Sequence, residues 1–281
     1  MSERAWHAGS FTPRARIALR GRTVAAFQVW GVVGVGAGVA LAAAVTWRLD
    51  LAWTVVGVQI VVSLGVVPVV VMVGKMCTGR ERLVFYHDAL AVTIVNVAVL
   101  HLLGRPLWPH LLLVALAVGC VLAVGRVGCL ASGCCFGRPG ARGVRYGAAH
   151  VVEGFPAFLV GVPLFPVQLV EAAAALGIVA VASGLVVRGA SPAEAFAGCV
   201  VGQTVVRFVV EFGRGDHRRR WRGVSEAQAT ALALSWLVTA LELAARLPLV
   251  WWHVAAACAL LTVTLLRLAA AVRDHSVSSP P

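Results

Sequence analysis

The sequence predicts an all-α fold: a polytopic membrane helical bundle of seven to eight spans with one long Gly-rich non-helical insert. Three observations carry this expectation. Of the 281 residues, 60% are hydrophobic and only 13% charged, and the mean hydropathy is +0.88; soluble domains average about 25% charged residues. Apolar runs near the roughly 20 residues that a bilayer crossing needs recur along the chain. Between the fourth and fifth of them, residues 125–165 are rich in Gly and Pro and too polar in their first half to span. No internal repeat is visible, and the chain reads as a single integral membrane domain, 1–281.

Residues 1–23 form a basic N-terminal segment with Arg4, Arg14, Arg16, Arg20 and Arg22. The first apolar run, 24–47, is longer than a cleaved signal core and no small-residue cleavage site ends it, so a retained anchor is expected. Further runs follow at 51–73, 83–103 and 107–124, then at 166–187, 190–212, 226–245 and 249–271. Only Arg246, Leu247 and Pro248 separate the last two, which leaves seven or eight spans. The tail, 273–281, reads as disordered. Irregular backbone such as 125–165 is tolerated at a membrane only where protein or water satisfies it.

The net charge of +12 and the isoelectric point near 10.8 do not point to nucleic acid. The basic residues sit in short connections between apolar runs, where anionic lipid headgroups are the matching partner. With eight spans, 19 Lys and Arg residues fall on the side that carries 125–165 and four on the other. The positive-inside rule places that richer side in the cytoplasm. Seven cysteines are scattered, and Cys77, Cys120, Cys199 and Cys258 lie in or beside apolar runs, where free cysteine packs as a small hydrophobe. No disulfide framework emerges.

Chemistry is concentrated in four stretches. In TVVRFVVEFG, Arg207 and Glu211 are four residues apart inside a span and share one helix face. Charges at that depth mark a functional site or, alternatively, a structural ion pair between helices. In FPVQLVEAAAALG, Gln168 and Glu171 lie near the start of the fifth run; Glu171 is either a catalytic carboxylate or a group stabilised by the helix N-terminus. In LVFYHDALAV, Tyr86 and His87 begin the third run. His87 is a candidate base, against the alternative of an interfacial aromatic belt.

The fourth stretch, GRVGCLASGCCFGRPG over 125–140, offers Gly125, Gly128, Gly133, Gly137 and Gly140 together with Arg126 and Arg138. Closely spaced glycines let backbone N–H groups approach an anion, and arginine grips phosphate with forked hydrogen bonds. The G-x-x-x-x-G-K-[ST] pattern is absent, which counts against nucleotide binding. Cys129, Cys134 and Cys135 lack the paired C-x2–4-C spacing of structural zinc, so no metal and no cofactor are expected. A thiol nucleophile is the alternative to small packing residues in a tight loop. Most arginines of GRGDHRRRWRG, 213–223, read with Trp221 as an interfacial anchor.

In their order along the chain, these stretches resemble the prolipoprotein diacylglyceryl transferase family. Gly125, Arg126, Gly128, Gly133, Gly137 and Arg138 keep the frame of its G-R-x-G-N-F-x-N-G-E-x-x-G-R loop, with Cys129 and Ser132 at the asparagine positions and Cys134 at the glutamate. Gly143–Tyr146 matches its G-V-R-Y stretch. FPVQLVEA matches H-P-x-Q-L-Y-E-A, with Phe165 for the histidine and Val170 for the tyrosine. Arg207–Phe212 matches R-F-x-V-E-F, and Gln228 follows Ser225 as a family glutamine follows Gly-x-Ser. The family's F-H-G-G aligns with Phe85–Asp88, which puts Tyr86 at the histidine.

The resemblance implies a multi-pass protein of the bacterial plasma (inner) membrane. Its implied partners are phosphatidylglycerol, surrounding membrane lipid and the signal-peptide region of a prolipoprotein, with the 125–140 loop on the outer face, opposite to the arginine count. The implied reaction moves diacylglyceryl from phosphatidylglycerol to a lipobox cysteine thiol, and glycerol phosphate leaves. Arg126 and Arg207 are then the candidates for the phosphate, with Glu211 orienting an arginine or accepting a headgroup hydroxyl. Tyr86 or His87 would help deprotonate the thiol, and Gly125, Gly128, Gly137, Arg138, Gln168 and Glu171 would bind substrate. The substituted positions keep two alternatives open: a phospholipid-dependent transferase with another acceptor, and a non-catalytic lipid-binding protein.

Overall fold

A computed structural model describes residues 12–19, 21–79, 85–216, 218 and 220–277. Two short antiparallel strands, β1 (Arg16–Leu19) and β2 (Arg22–Ala25), lead into α1 (Ala26–Arg48), α2 (Trp53–Thr78), α3 (Phe85–Leu102) and α4 (Leu107–Ser132). The connection 133–166 holds an extended segment, β3 (Pro139–Val144), and two 3-10 turns. It bridges to itself through Leu164, which meets both Pro139 and Val144. Then come α5 (Val167–Val187), α6 (Pro192–Val210), a 3-10 turn over Glu211–Gly213, and a small β4 (Arg220–Trp221) and β5 (Val224–Ser225) hairpin. The helices α7 (Glu226–Leu243) and α8 (Trp251–Val277) complete the bundle.

The polytopic all-α expectation holds. Among the described residues seven helices are long and apolar enough to cross a membrane, so the chain is a multi-pass membrane protein. The eighth, α7, is not among the seven; Glu226, Gln228 and Glu242 dilute its apolar sequence. It is nevertheless packed through Val238 and Leu241 against α6. The tail departs from expectation, because α8 continues through 273–277; 278–281 lie outside the described residues.

The non-helical insert also starts later than expected. Residues 125–132 are the last two turns of α4, not a loop. The physical reason is that glycine in a membrane helix is a packing residue as much as a breaker. A Cβ at Gly128 would lie 3.0 Å from Trp30 and 3.3 Å from the Phe27 backbone, so its absence lets α1 approach α4. Gly34 and Gly38 do the same from α1, the latter with Ala117 of α4 within 2.9 Å of an added Cβ. The stop is Gly133, left-handed at φ 77°, where the Cys134 N–H donates back to the Cys129 carbonyl at 3.1 Å.

Burial ranks the helices. In α4 61% and in α6 56% of the spanning window is buried, against 17% in α2 and in α8, so α4 and α6 form the inner layer. Local signals frame the later helices. Ser191 caps α6 ahead of Pro192, and Ser225 and Gln228 form a reciprocal capping box on α7, with bonds of 3.3 and 3.1 Å. The start of α3, the end of α4, the start of α5, the end of α6 and the start of α7 share one end of the bundle, with the long connection. Short turns close the opposite end.

Candidate functional site

At that shared end, charged side chains from α4, α5, α6 and the segment that follows α6 converge below the surface. Glu171, in the first turns of α5 and only 1% exposed, is the centre. Its Oε1 accepts from Arg126 Nη2 of α4 at 2.9 Å and faces Arg207 Nη1 of α6 at 3.8 Å, while Oε2 faces Arg214 Nη1 at 3.6 Å. Arg207 Nη2 also meets Glu211 Oε2 at 2.9 Å, one turn on in the same segment. Arg214 and Arg218 both hold Asp216, each at 3.0 Å, and Arg218 reaches Glu211 at 3.9 Å.

Four guanidinium groups thus face three carboxylates. A buried charge is tolerated where it is paired, and the cluster carries one positive charge beyond its internal pairing. Several N–H groups stay unfilled: Arg126 Nε and Arg207 Nε and Nη1 are buried with no hydrogen-bond acceptor among the described residues. Burial works against the charge of Arg214, but the Cys135 sulfur and Asp216 outweigh it and hold its pKa above the ordinary arginine value. Burial likewise opposes ionisation of Asp216, yet the Arg214 hydrogen bond and the charges of Arg214 and Arg218 keep its carboxyl below the usual range.

Beside this cluster lies a cavity of about 1030 Å³, reaching along α1 to α4. Its long wall is apolar, with Val35, Val39, Val92 and Val114. Its polar end presents Arg126, Arg207, Arg218, Tyr86, His87 and the three thiols of Cys129, Cys134 and Cys135. Such a space suits an amphiphile, with tails along the wall and a charged group at the arginines.

The expectation that Arg126 and Arg207 reach one cavity therefore agrees with the geometry, although Arg126 comes from a helix rather than a loop. Tyr86 sits with its ring 5.6 Å from the Arg207 guanidinium. His87 is exposed and pairs with Glu226 at 2.8 Å. Gly125 lines the cavity with open space around it.

Other expected binding residues are elsewhere. Glu171 and Glu211 stand behind the arginines rather than on the cavity wall. Gln168 donates to the Cys134 carbonyl at 2.9 Å and to Tyr146 Oη at 3.3 Å, tying α5 to the turn after α4. Gly128 packs α4 on α1. Gly137 packs against Phe165, whose carbonyl oxygen would be 2.3 Å from an added Cβ. The Arg138 side chain is exposed; its backbone N–H donates to the Gly213 carbonyl and its carbonyl accepts from the Phe165 N–H. A glycine-rich anion cradle does not form at 125–132, because those N–H groups lie within the helix. The polar groups that face the cavity there are side chains instead.

Arg214 and Arg218 lie in the basic stretch that the sequence reads as an interfacial anchor, and Asp216 between them has no role in that reading. The nearest signal is the charged pair Arg207 and Glu211 just upstream inside a span; helical spacing does not extend to Arg214 and Arg218, because α6 ends at Val210 and Arg214 is extended. The three thiols stand out in the sequence as packing residues or a nucleophile, but not as a cluster. Cys129, Cys134 and Cys135 bring their sulfurs within 4.8 Å of one another. Hydrogen bonds within the trio, with the charges of Arg214 and Arg126, lower the Cys135 pKa; the same bonds raise that of Cys134.

No curated protein matches the chain. The family model for prolipoprotein diacylglyceryl transferase matches residues 81–246, a stretch that contains every charged member of the cluster. With more than half of its length matched, and the arginine cluster inside the match, the chain belongs to the prolipoprotein diacylglyceryl transferase family, a family of transferases.

Proposed function

We propose that this protein transfers the diacylglyceryl group of phosphatidylglycerol to the lipobox cysteine of prolipoproteins in the bacterial plasma membrane. The observation that carries the reading is one cavity with an apolar wall and an end lined by Arg126 and Arg207. In this reaction the acceptor sulfur attacks the glycerol carbon that bears the phosphate. A C–S bond forms, the C–O bond breaks, and glycerol phosphate leaves with the electron pair. Preorganised positive charge at the leaving phosphate lowers that barrier.

Arg126 and Arg207 would bind the phosphate, and the surplus positive charge of their cluster would neutralise it. Glu171, Glu211 and Arg214 are positioning residues. Glu171 holds Arg126 and Arg207 towards each other, and Glu211 fixes the second. His87, exposed at the mouth and paired with Glu226, is better placed than the buried Tyr86 hydroxyl to take a proton from an arriving thiol.

Purified protein incubated with labelled phosphatidylglycerol and a lipobox peptide tests this reading. The label should move to the peptide cysteine as a thioether. Arg207→Lys should lower turnover about 10²–10³-fold, as loss of one oriented donor does elsewhere, because an ammonium does not reproduce forked contacts. Lipid binding without transfer to any thiol would contradict the reading.

A further inference from the structure

The chain reversal after α4 does more than end a helix. Cys129 is on the last turn of α4, Gly133 is left-handed, and Cys135 adopts φ 57°, a left-handed conformation uncommon for a residue with a side chain. This path gathers three sulfurs within 4.8 Å of one another on the wall of the arginine-lined cavity. Zn–S bonds of about 2.3 Å place the sulfurs of a tetrahedral site roughly 3.8 Å apart, so three sulfurs within 4.8 Å of one another are about 1 Å or less from that spacing. Two guanidinium groups stand by: Arg126 Nη1 is 4.0 Å from Cys129 Sγ and Arg218 Nη2 is 3.9 Å from Cys135 Sγ. Donors to ligating sulfur steady a thiolate site from outside its coordination shell.

We propose that Cys129, Cys134 and Cys135 form a three-thiolate site for Zn²⁺ whose fourth position opens on the cavity. The spacing in sequence argues only against paired C-x2–4-C sites; a three-ligand site needs convergence, which the turn supplies. Soft thiolates select such an ion, and three protein ligands with one open position is the arrangement of zinc sites that do chemistry. Binding releases the thiol protons to solvent. A further consequence rests on the transferase reading: an acceptor thiol entering the cavity would meet the open position, where coordination would ease loss of its proton to His87 on the same cavity wall.

The test uses the reduced full-length protein in detergent, loaded with Zn²⁺ or with Co²⁺ as a spectroscopic substitute. The proposal expects stoichiometric Zn²⁺, a sulfur-to-cobalt charge-transfer band, and loss of both in Cys134→Ser. Cys77→Ser and Cys258→Ser, at exposed positions, should keep both. Should Cys134→Ser fail to fold, wild-type protein still decides, because Zn²⁺ should protect Cys129, Cys134 and Cys135 from alkylation and a chelator should restore their reactivity. Absence of the band in wild-type protein, or equal alkylation with and without Zn²⁺, overturns the site. A lipobox peptide should shift the cobalt spectrum. A band that persists unshifted with no lipid transfer would leave the metal site standing and overturn its link to the acceptor.

Discussion

At one end of the bundle Arg48, Arg105, Arg188 and Arg246 sit on short turns and are exposed. At the other, Arg126, Arg207 and Arg214 are 7%, 2% and 3% exposed and share one carboxylate. The residue type is the same; the environment is opposite. Exposed guanidinium groups near a membrane contribute headgroup contacts and orientation. Buried ones carry a large desolvation penalty that is offset only by partners held in place. The sets also differ in what holds them. Arg48 donates to the Val187 carbonyl at 3.1 Å across adjacent turns, whereas the buried set is fixed from α4, α5 and α6 together. A site that needs strong positive charge at a fixed place is built at the second end.

The largest expected difference between the two ends is which of them faces out. The family reading expects the end with the long connection on the outer face, and the 19 basic residues on that side favour the cytoplasm. In a chain whose exposed Cys77 and Cys258 are serine, Ala148→Cys and Arg188→Cys report the two ends. An impermeant maleimide on intact cells should label Ala148→Cys, and Arg188→Cys only after lysis. The reverse pattern would place the site in the cytoplasm and with it a different acceptor.

The next effect is on stability and activity together. Glu171→Ala removes the carboxylate shared by Arg126, Arg207 and Arg214 and leaves buried like charges facing one another. Removing one partner of a buried pair costs about 3–5 kcal/mol, so a marked fall in resistance to denaturation is expected, along with loss of transfer. Wild-type stability in that variant would mean that the cluster is solvated and the contrast between the ends overstated.

The smallest effect belongs to the open end. Arg188→Gln should leave both stability and transfer unchanged, since exposed charges with no buried partner contribute little. A loss of activity there would show that the two ends are coupled through the helices.

Much of this contrast is legible in the sequence, and the rest is not for physical reasons. Apolar runs mark the spans because only an apolar face is stable in lipid. Arg207, Glu211 and Glu171 stand out because charge in such runs is costly. The end of α4 is misread because Gly125 and Gly128 look like a loop until Phe27 and Trp30 of α1 are seen pressed against the second of them. Gln228 reads as a motif residue and proves to be half of a capping box with Ser225. Arg214 and Arg218 hide in a basic stretch whose exposed Arg220 and Arg222 do look like an interfacial anchor. The convergence of Cys129, Cys134 and Cys135 depends on two left-handed residues in one turn, Gly133 and Cys135, which spacing does not encode.

On the proposed function a phospholipid sits with its phosphate at Arg126 and Arg207 and its tails along the apolar wall. Photo-crosslinking with phosphatidylglycerol that carries a diazirine near its acyl terminus tests this most directly. Adducts are expected on cavity-facing residues such as Val35, Val92 and Val114, strongly reduced by Arg126→Lys and Arg207→Lys. Adducts confined to outward-facing residues such as Val61 and Met72, at yields those substitutions do not change, would contradict it.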